Sequence, residues 1–374
     1  MKIAILGTRG IPNNYGGFEQ FAEYLSVGLV EKGHEVTVYN PHFHRCPEDM
    51  FHGVAVRYIY NPELWMGASA HFIYDFLCLK DALKEGFDVI LECGYHSNAP
   101  SYYLMRGRIK PLLVTNMDGL EWMRSKWNRP TRWLIRQLEK LAVNKSHLLV
   151  SDNQGIQNYY KNIFNKESAF IPYGAEPVLN FDKSHLQPFS LKEQAYYLLI
   201  ARMEPENNIE TILDGYLISK QTDIPFIVVG NVENKYGNYL KQKYTDTSIR
   251  FVGSIYDKHA LDSLRHYASI YFHGHSVGGT NPSLLEAMAS QAFIIAHDNE
   301  FNGSVCVENA YYFTSKEDVS SLILANRDVV DMQREKMIQQ NLRTVYHDYS
   351  WHHIVESYEN LFLNGIQSEF YGNK

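Results

Sequence analysis

Short apolar runs that alternate with amphipathic stretches constrain this chain more than any other feature. Residues 2–6 (Lys-Ile-Ala-Ile-Leu) read as a strand buried on both faces. A glycine-bearing loop follows, and then Phe18, Phe21, Ala22, Leu25 and Leu29 recur at helical spacing over 18–30. Gly33 ends that helix, and 36–39 reads as the next strand, which completes a βαβ unit. Further strands are expected at 89–91, 112–115, 147–150 and 169–171. After a polar stretch with Pro177 and Pro188, a second series is expected at 196–201, 225–229, 250–252, 270–272 and 293–296. The expected fold class is α/β, with two Rossmann-like doubly wound domains facing across a cleft. The expected boundaries are 1–178 for the first domain and 179–349 for the second. A C-terminal amphipathic helix, within about 350–374, is expected to pack back on the first.

Composition narrows the class. A formal net charge of −7 argues against a general nucleic-acid binder, because phosphate backbones reward positive surface. Four scattered cysteines, Cys46, Cys78, Cys93 and Cys306, form no CxxC pair, so neither a disulfide scaffold nor a structural zinc site is expected. The apolar start is too short for a signal peptide, and no apolar run reaches the ~18 residues of a membrane span. The expected location is cytoplasmic, with any membrane contact peripheral, at the inner face of the plasma membrane.

Ligands of open α/β sheets bind beyond the carboxyl ends of the strands, so the loops there carry the chemistry. In the first loop (7–19), Gly16 and Gly17 stand just before a helix, where backbone amides attract anions. They either admit a substrate or only make a tight turn, and Arg9 either reaches a phosphate or stays solvated. In the second (197–209), Arg202 leaves a strand end just before a helix, a placement that suits a diphosphate; the alternative is an Arg capping its own loop. The third (273–289) runs from a strand through Gly278, Gly279 and Thr280 into an apolar helix bearing Glu286. The helix amides are expected to hold phosphate oxygens, with His275 lining the pocket; Glu286 is either a solvated helix charge or, the reading favoured beside Leu284, Leu285 and Met288, a ligand for sugar hydroxyls. His42, His44 and the pair His273 and His275 lack a third and fourth ligand in sequence, so no metal site is expected. No Asp-x-Asp occurs, so a metal-clamped diphosphate is not expected.

Taken in order, these motifs resemble GT-B glycosyltransferases of family 4 over essentially the whole chain. They are Gly-Gly-Phe-Glu at 16–19, Ile-Pro-Tyr-Gly-Ala at 171–175 and Ala-Arg-Met-Glu-Pro-Glu-Asn at 201–207. Pro-Ser-Leu-Leu-Glu-Ala-Met-Ala at 282–289 and Tyr-Ser-Trp at 349–351 complete the set. The opening Gly-Thr-Arg-Gly-Ile-Pro-x-x-Tyr-Gly-Gly-Phe-Glu is narrower. With Asn-Met-Asp-Gly-Leu-Glu-Trp at 116–122 and Gly-Gly-Thr-Asn-Pro at 278–282, it resembles bacterial rhamnosyltransferases of capsule, O-antigen or exopolysaccharide synthesis. The resemblance implies a donor site of Gly16, Gly17, Arg202, His275, Gly279, Thr280, Asn281 and Glu286, no cofactor, and retention of configuration. The chain departs from the wider family at three positions: Asn207 stands where a Lys is usual, Gly278 where a first Glu is usual, and Asp118 where many relatives place a His.

The implied activity is transfer of rhamnose from dTDP-rhamnose to a lipid-linked saccharide, with Arg202 on the leaving diphosphate. Asp118 is expected either to orient or deprotonate the acceptor hydroxyl, or to cap a helix beginning near Leu120. The alternatives are a UDP-hexose donor, a sugar-nucleotide epimerase, or a non-catalytic nucleotide-sugar-binding scaffold. Residues 121–145 carry seven basic side chains against two acidic ones, with three of the five tryptophans among them. Arg124, Lys126, Arg129, Arg132 and Arg136 are therefore expected to meet a lipid-linked acceptor or an anionic membrane, against the plainer reading of a basic helix face over core tryptophans.

Overall fold

The computed structural model describes residues 1–14, 16–46, 50–105, 107–124, 126–326 and 332–371. Its chain divides into two compact units, one of Met1–Tyr173 with Trp351–Lys374 and one of Gly174–Ser350. Tyr15, within the first loop motif, lies outside the described residues, as do 372–374 of the expected C-terminal helix.

The first unit is built on an eight-stranded sheet. Its strands are β1 (Lys2–Leu6), β2 (Glu35–Pro41), β3 (Met50–Phe51), β4 (Val54–Ile59), β5 (Val89–Cys93), β6 (Leu112–Asn116), β7 (Leu148–Ser151) and β8 (Ala169–Phe170). They are ordered β3-β4-β2-β1-β5-β6-β7-β8, parallel except for β3 against β4. Strands β5 and β6 are buried along their whole length, as expected where helices cover both faces. The chain steps from β1 to β2 in one direction and from β4 to β5 in the other. Right-handed crossovers therefore put the helix Gly17–Glu31 on one face, and the helices Ala70–Ala82, Ala99–Leu104 and Arg129–Lys145 on the other. The C-terminal helix Trp351–Tyr371 packs against Gly17–Glu31. Trp351 stacks on Tyr24 with ring centroids 4.6 Å apart, and Gly28 leaves room for Val355, which a Cβ would meet at 2.6 Å.

The second unit holds six parallel strands in the order β11-β10-β9-β12-β13-β14. They are β9 (Tyr197–Ile200), β10 (Phe226–Val229), β11 (Ile249–Gly253), β12 (Ile270–His273), β13 (Ile294–His297) and β14 (Tyr311–Phe313). One core cluster, including Tyr197, Tyr216, Phe226 and Phe272, joins β9, β10 and β12 to the helix Ile209–Ser219. Gly215 of that helix leaves the space filled by Val319.

One feature of the first core is costly. Asp75 and Glu92 are both buried, the latter completely. Asn98 donates to Glu92 Oε2 at 2.7 Å, while Oε1 has no described partner. Burial pushes the Glu92 carboxyl up to about 8, helped by the nearby Asp75, and pushes Asp75 up to about 7. Both carboxyls hold their protons in the folded state at pH values where the unfolded chain has released them. Their contribution to stability is thus full below pH ~4 and is lost as pH rises toward 8. Glu92→Gln keeps the acceptor for Asn98 and removes the proton. The melting temperature of the wild type should fall more steeply than that of E92Q between pH 5 and 8; parallel curves would place the titration elsewhere.

Candidate active site

In each sheet the direction of strand addition reverses at one place: between β1 and β5 in the first unit, and between β9 and β12 in the second. Loops leaving the carboxyl ends there diverge and open a crevice. The three loops singled out in the sequence leave β1, β9 and β12.

In the first unit, Gly7 (φ +79°) passes so close to β5 that a Cβ would lie 2.7 Å from the Cys93 carbonyl oxygen. Asn40 then pins the loop by accepting from the Ile11 N–H at 3.1 Å and donating to the Ile11 carbonyl at 2.8 Å. The Arg9 N–H donates to Glu19, a buried carboxylate in the first turn of the helix Gly17–Glu31. The Arg9 guanidinium donates to Glu63 at 2.8 Å and lies 3.2 Å from His71 Nε2. It is an ion-pair member. Gly16 is the N-cap residue with extended backbone, and a Cβ there would meet only Glu19, at 3.4 Å. The fold therefore does not demand glycine at 16.

Asp118 follows β6 in the left-handed region (φ +45°), a cost that Asp tolerates better than most residues. Its N–H donates to Asn116 Oδ1 at 3.0 Å, and the Tyr173 hydroxyl donates to its Oδ1 at 3.2 Å. It caps no helix: a short 3₁₀ turn, Glu121–Met123, begins after Leu120, and no side chain caps it. Asp118 Oδ2 has no described partner.

The basic segment divides. Arg124 and Lys126 both pair with Glu121, which their charges hold below the usual carboxylate range against the opposing pull of burial. The single carboxylate offsets one of these two charges, and the Lys126 side chain stays 45% exposed. Arg129, Arg132 and Arg136 instead line a groove of about 410 Å³ with Trp122, Met123 and Trp133. The Arg136 guanidinium lies 4.5 Å over the Trp122 ring, and Trp133 is 65% exposed. Asn128 caps the helix by accepting from the Thr131 N–H, which presents these arginines in its first two turns.

In the second unit, the loops after β9 and β12 are tied by Asn207. Its Nδ2 donates to the Arg202 carbonyl at 2.7 Å, and its Oδ1 lies 2.9 Å from His275 Nδ1. Gly274 is obligatory there, since a Cβ would sit 1.9 Å from the Asn207 carbonyl oxygen. The Arg202 side chain stands 67% exposed, with Glu204 loosely placed at 3.8 Å. Gly278 (φ +126°) accommodates no side chain easily, and a Cβ would meet His275 Nε2 at 3.3 Å.

The helix Pro282–Ala289 does not offer its amides as expected. Pro282 has no N–H, Ser283 donates to the Asn281 side chain, and Leu284 and Leu285 donate to the Asn281 carbonyl. Asn281 is thus an N-cap residue whose Oδ1 is occupied. The amides left without a described acceptor lie upstream, at Gly278 and Gly279. Thr280 is buried behind them.

Glu286 is half-buried, and its Oε2 is held by Arg265, a guanidinium only 2% exposed. Arg265 also contacts Asp262 at 3.2 Å, and Asp262 accepts from Lys258 at 2.7 Å. Glu286 Oε1 has no described partner, so one oxygen is fixed and the other is presented. The sequence did not reveal Arg265 because Asp262 and Arg265, three apart on a helix, look like any surface ion pair. Beside this group, burial drives the His273 imidazole well below its usual pKa, and its Nε2 lacks a described partner. The His42 ring accepts from the Asn61 N–H, beyond β4, and the buried His44 lies against the Ile11 and Pro12 backbone of the first loop. Among the described residues, no group of three or more His, Cys, Asp or Glu could hold a metal ion, and no helix is long and apolar enough to cross a membrane.

Two units, each with its candidate loops at the switch point of a parallel sheet, define the GT-B class, and solved structures agree. Sucrose-phosphate synthase from Thermosynechococcus elongatus superposes with a TM-score of 0.74 at 14% identity, covering 98% of this chain and 99% of that one. A glycosyltransferase from Rickettsia africae gives 0.75 at 13% identity, covering 98% and 99%. Anabaena HepE in complex with UDP gives 0.72 at 14% identity, covering 97% and 100%. Residues 180–344 match the family model described as glycosyl transferases group 1, and residues 1–176 match one described as a domain of unknown function, DUF1972. No curated protein matches the sequence. The protein has the GT-B fold, and its second unit is similar to the group 1 glycosyl transferases.

Replacing Arg265 by Met should destabilise the protein by about 3 kcal/mol in urea unfolding. The lower end of the range for a broken buried pair applies because Asp262 keeps Lys258. A loss below about 1 kcal/mol would show that the buried guanidinium does not organise this helix pair.

Proposed function

We propose that the protein transfers a sugar, rhamnose from dTDP-rhamnose, to a lipid-linked saccharide of bacterial surface polysaccharide synthesis. The observation that carries this reading is Glu286: a carboxylate with one oxygen anchored by a buried arginine and the other without a described partner, on the helix that follows the glycines at 278 and 279. That pairing suits a nucleoside diphosphate, with Glu286 Oε1 accepting from sugar hydroxyls and the amides meeting phosphate oxygens. Arg202, exposed at the end of β9, supplies the positive charge that the leaving diphosphate needs as its bond to the sugar carbon breaks. The acceptor hydroxyl oxygen forms the new bond to that carbon. Its proton passes to the unpartnered oxygen of Asp118, whose other oxygen is oriented by Tyr173. Gly16, which the fold does not require as glycine, leaves backbone open to close approach, with Gly17 beside it.

Gly278 favours a 6-deoxy donor. At φ +126° and against His275, the position offers no carboxylate to a hexose hydroxyl. The alternative, a UDP-hexose, draws support from HepE, which is solved with UDP and with UDP-glucose. The groove of Arg129, Arg132, Arg136 and Trp133 suits an anionic membrane surface or the pyrophosphate of a lipid carrier, and retention of configuration is expected.

A ligand that binds only the native state raises its melting temperature by mass action. The protein should be stabilised by dTDP more than by UDP, GDP or ADP at equal concentration, with or without magnesium. Glu286→Ala and Arg202→Ala should each lower kcat/KM by about 10²-fold or more. Preference for UDP would discard rhamnose and keep the fold. Unchanged transfer in both variants would overturn the placement of the site at Arg202 and Glu286.

A further inference from the structure

Beside the Arg9–Glu63 ion pair of the first loop, a stretch of the first unit carries several large, exposed apolar side chains. Trp65 is 86% and Leu64 81% exposed, and Met66, Phe72 and Ile73 are exposed beside them. They lie on a single helical turn, Glu63–Met66, on the 3₁₀ turn Gly67–Ser69, and on the start of the helix Ala70–Ala82. Scattered exposed apolar residues are ordinary, but five large ones within ten positions form a patch that water disfavours and a partner would cover.

Charge selects the partner. From Leu64 to Tyr74 there is no Asp, Glu, Lys or Arg, and the titratable groups are His71 and the buried Tyr74. Glu63, the nearest acid, is neutralised by Arg9, with His71 beside the pair. The ridge thus presents no unpaired negative charge. The helices Ala70–Ala82 and Arg129–Lys145 lie on the same face of the sheet, and both pack against Ala99–Leu104 between them. Each runs antiparallel to the strands, so both begin at the carboxyl edge. The first start carries Phe72 and Ile73 after Trp65; the second carries Arg129, Arg132 and Trp133. One edge therefore combines an uncharged aromatic ridge with three arginines, the combination that an anionic bilayer matches with acyl chains and headgroups.

We propose that residues 64–73 form an insertion ridge that seats in the interface of an anionic bilayer, with Leu64 and Trp65 as its tip, next to the arginine groove. This rests on the membrane reading given above and adds an apolar anchor to its electrostatic one. The two make different demands: the groove is screened by salt, while the ridge follows buried apolar area and is not.

The test is co-sedimentation of the full chain with vesicles of phosphatidylcholine and phosphatidylglycerol (3:1), and of phosphatidylcholine alone, at low and high salt. Leu64→Ser/Trp65→Ser should fold normally, because both side chains stand in water, and should keep the nucleotide-induced rise in melting temperature. Its partition onto anionic vesicles should fall roughly tenfold or more, and the residual binding should be the more salt-sensitive. Arg129→Glu/Arg132→Glu/Arg136→Glu should lose the preference for anionic vesicles and retain weak, salt-insensitive partition. Unchanged partition of the Leu64/Trp65 variant, with loss in the arginine variant, overturns the ridge and leaves the groove standing. No binding of the wild type to either vesicle overturns both. A wild-type dimer in solution that the Leu64/Trp65 variant dissolves would assign the ridge to a second copy of the chain and overturn the bilayer.

Discussion

Parallel strand pairing is the constraint on which everything else in this protein depends. A parallel strand cannot be joined to its neighbour by a tight turn, so each needs a long crossover, which is helical for every parallel pair joined in sequence here except β2 and β4, and the helices then cover both faces of the sheet. The carboxyl ends of the strands become the edge where loops are free to carry polar chemistry. Every residue assigned a role near a substrate follows from that rule. Gly16 comes after β1, Asp118 after β6, Arg202 after β9, and His275 and Glu286 after β12. The arginine groove and the apolar ridge obey it as well, because a helix that returns antiparallel to the strands starts at the same edge.

Within that frame, buried polar groups do the positioning. Asn40 holds the first loop against β2, Tyr173 turns Asp118, and Arg265 fixes one oxygen of Glu286. Each is a polar side chain withdrawn from water and held by one or two specific partners, an arrangement that is costly when broken and therefore rigid when intact. Asp75 and Glu92 show the opposite case. Two carboxyls share a buried region with too few donors, and they stay in place by keeping their protons.

The architecture was legible because periodicity reports burial. The run at 2–6 and the runs of the second series are apolar where sheets are covered on both sides, and the observed strands fall on them. The pair β3 and β4 went unread because Val54–Ile59 sits toward the sheet's edge, half-exposed, with Arg57 and Tyr58 interrupting the apolar pattern. At the site, glycines and lone charges marked the right loops, yet their partners were invisible. That Glu121 would pair with both Arg124 and Lys126 depends on a local 3₁₀ turn. That Asn281 would occupy the helix amides depends on the cap forming at all, and Asn-Pro-Ser fits a cap as well as a ligand loop. Hydrophobic spacing carries neither fact.

The departures from the wider family at 207 and 278 are two sides of one local arrangement. Asn207 bridges the Arg202 carbonyl and His275 Nδ1, which a lysine, with no acceptor atom on its side chain, would not do for a protonated ring nitrogen. Gly278 leaves room beside the same ring, on its Nε2 side. The imidazole is therefore fixed through one nitrogen, and the other is given space by the missing Cβ. Neither position carries a charge, and a single oriented histidine lies between them. Restoring Lys at 207 alone would release the ring, and restoring Glu at 278 alone would crowd it and force an unfavourable φ. The two positions are coupled through His275, so neither departure is evidence of decay when read by itself.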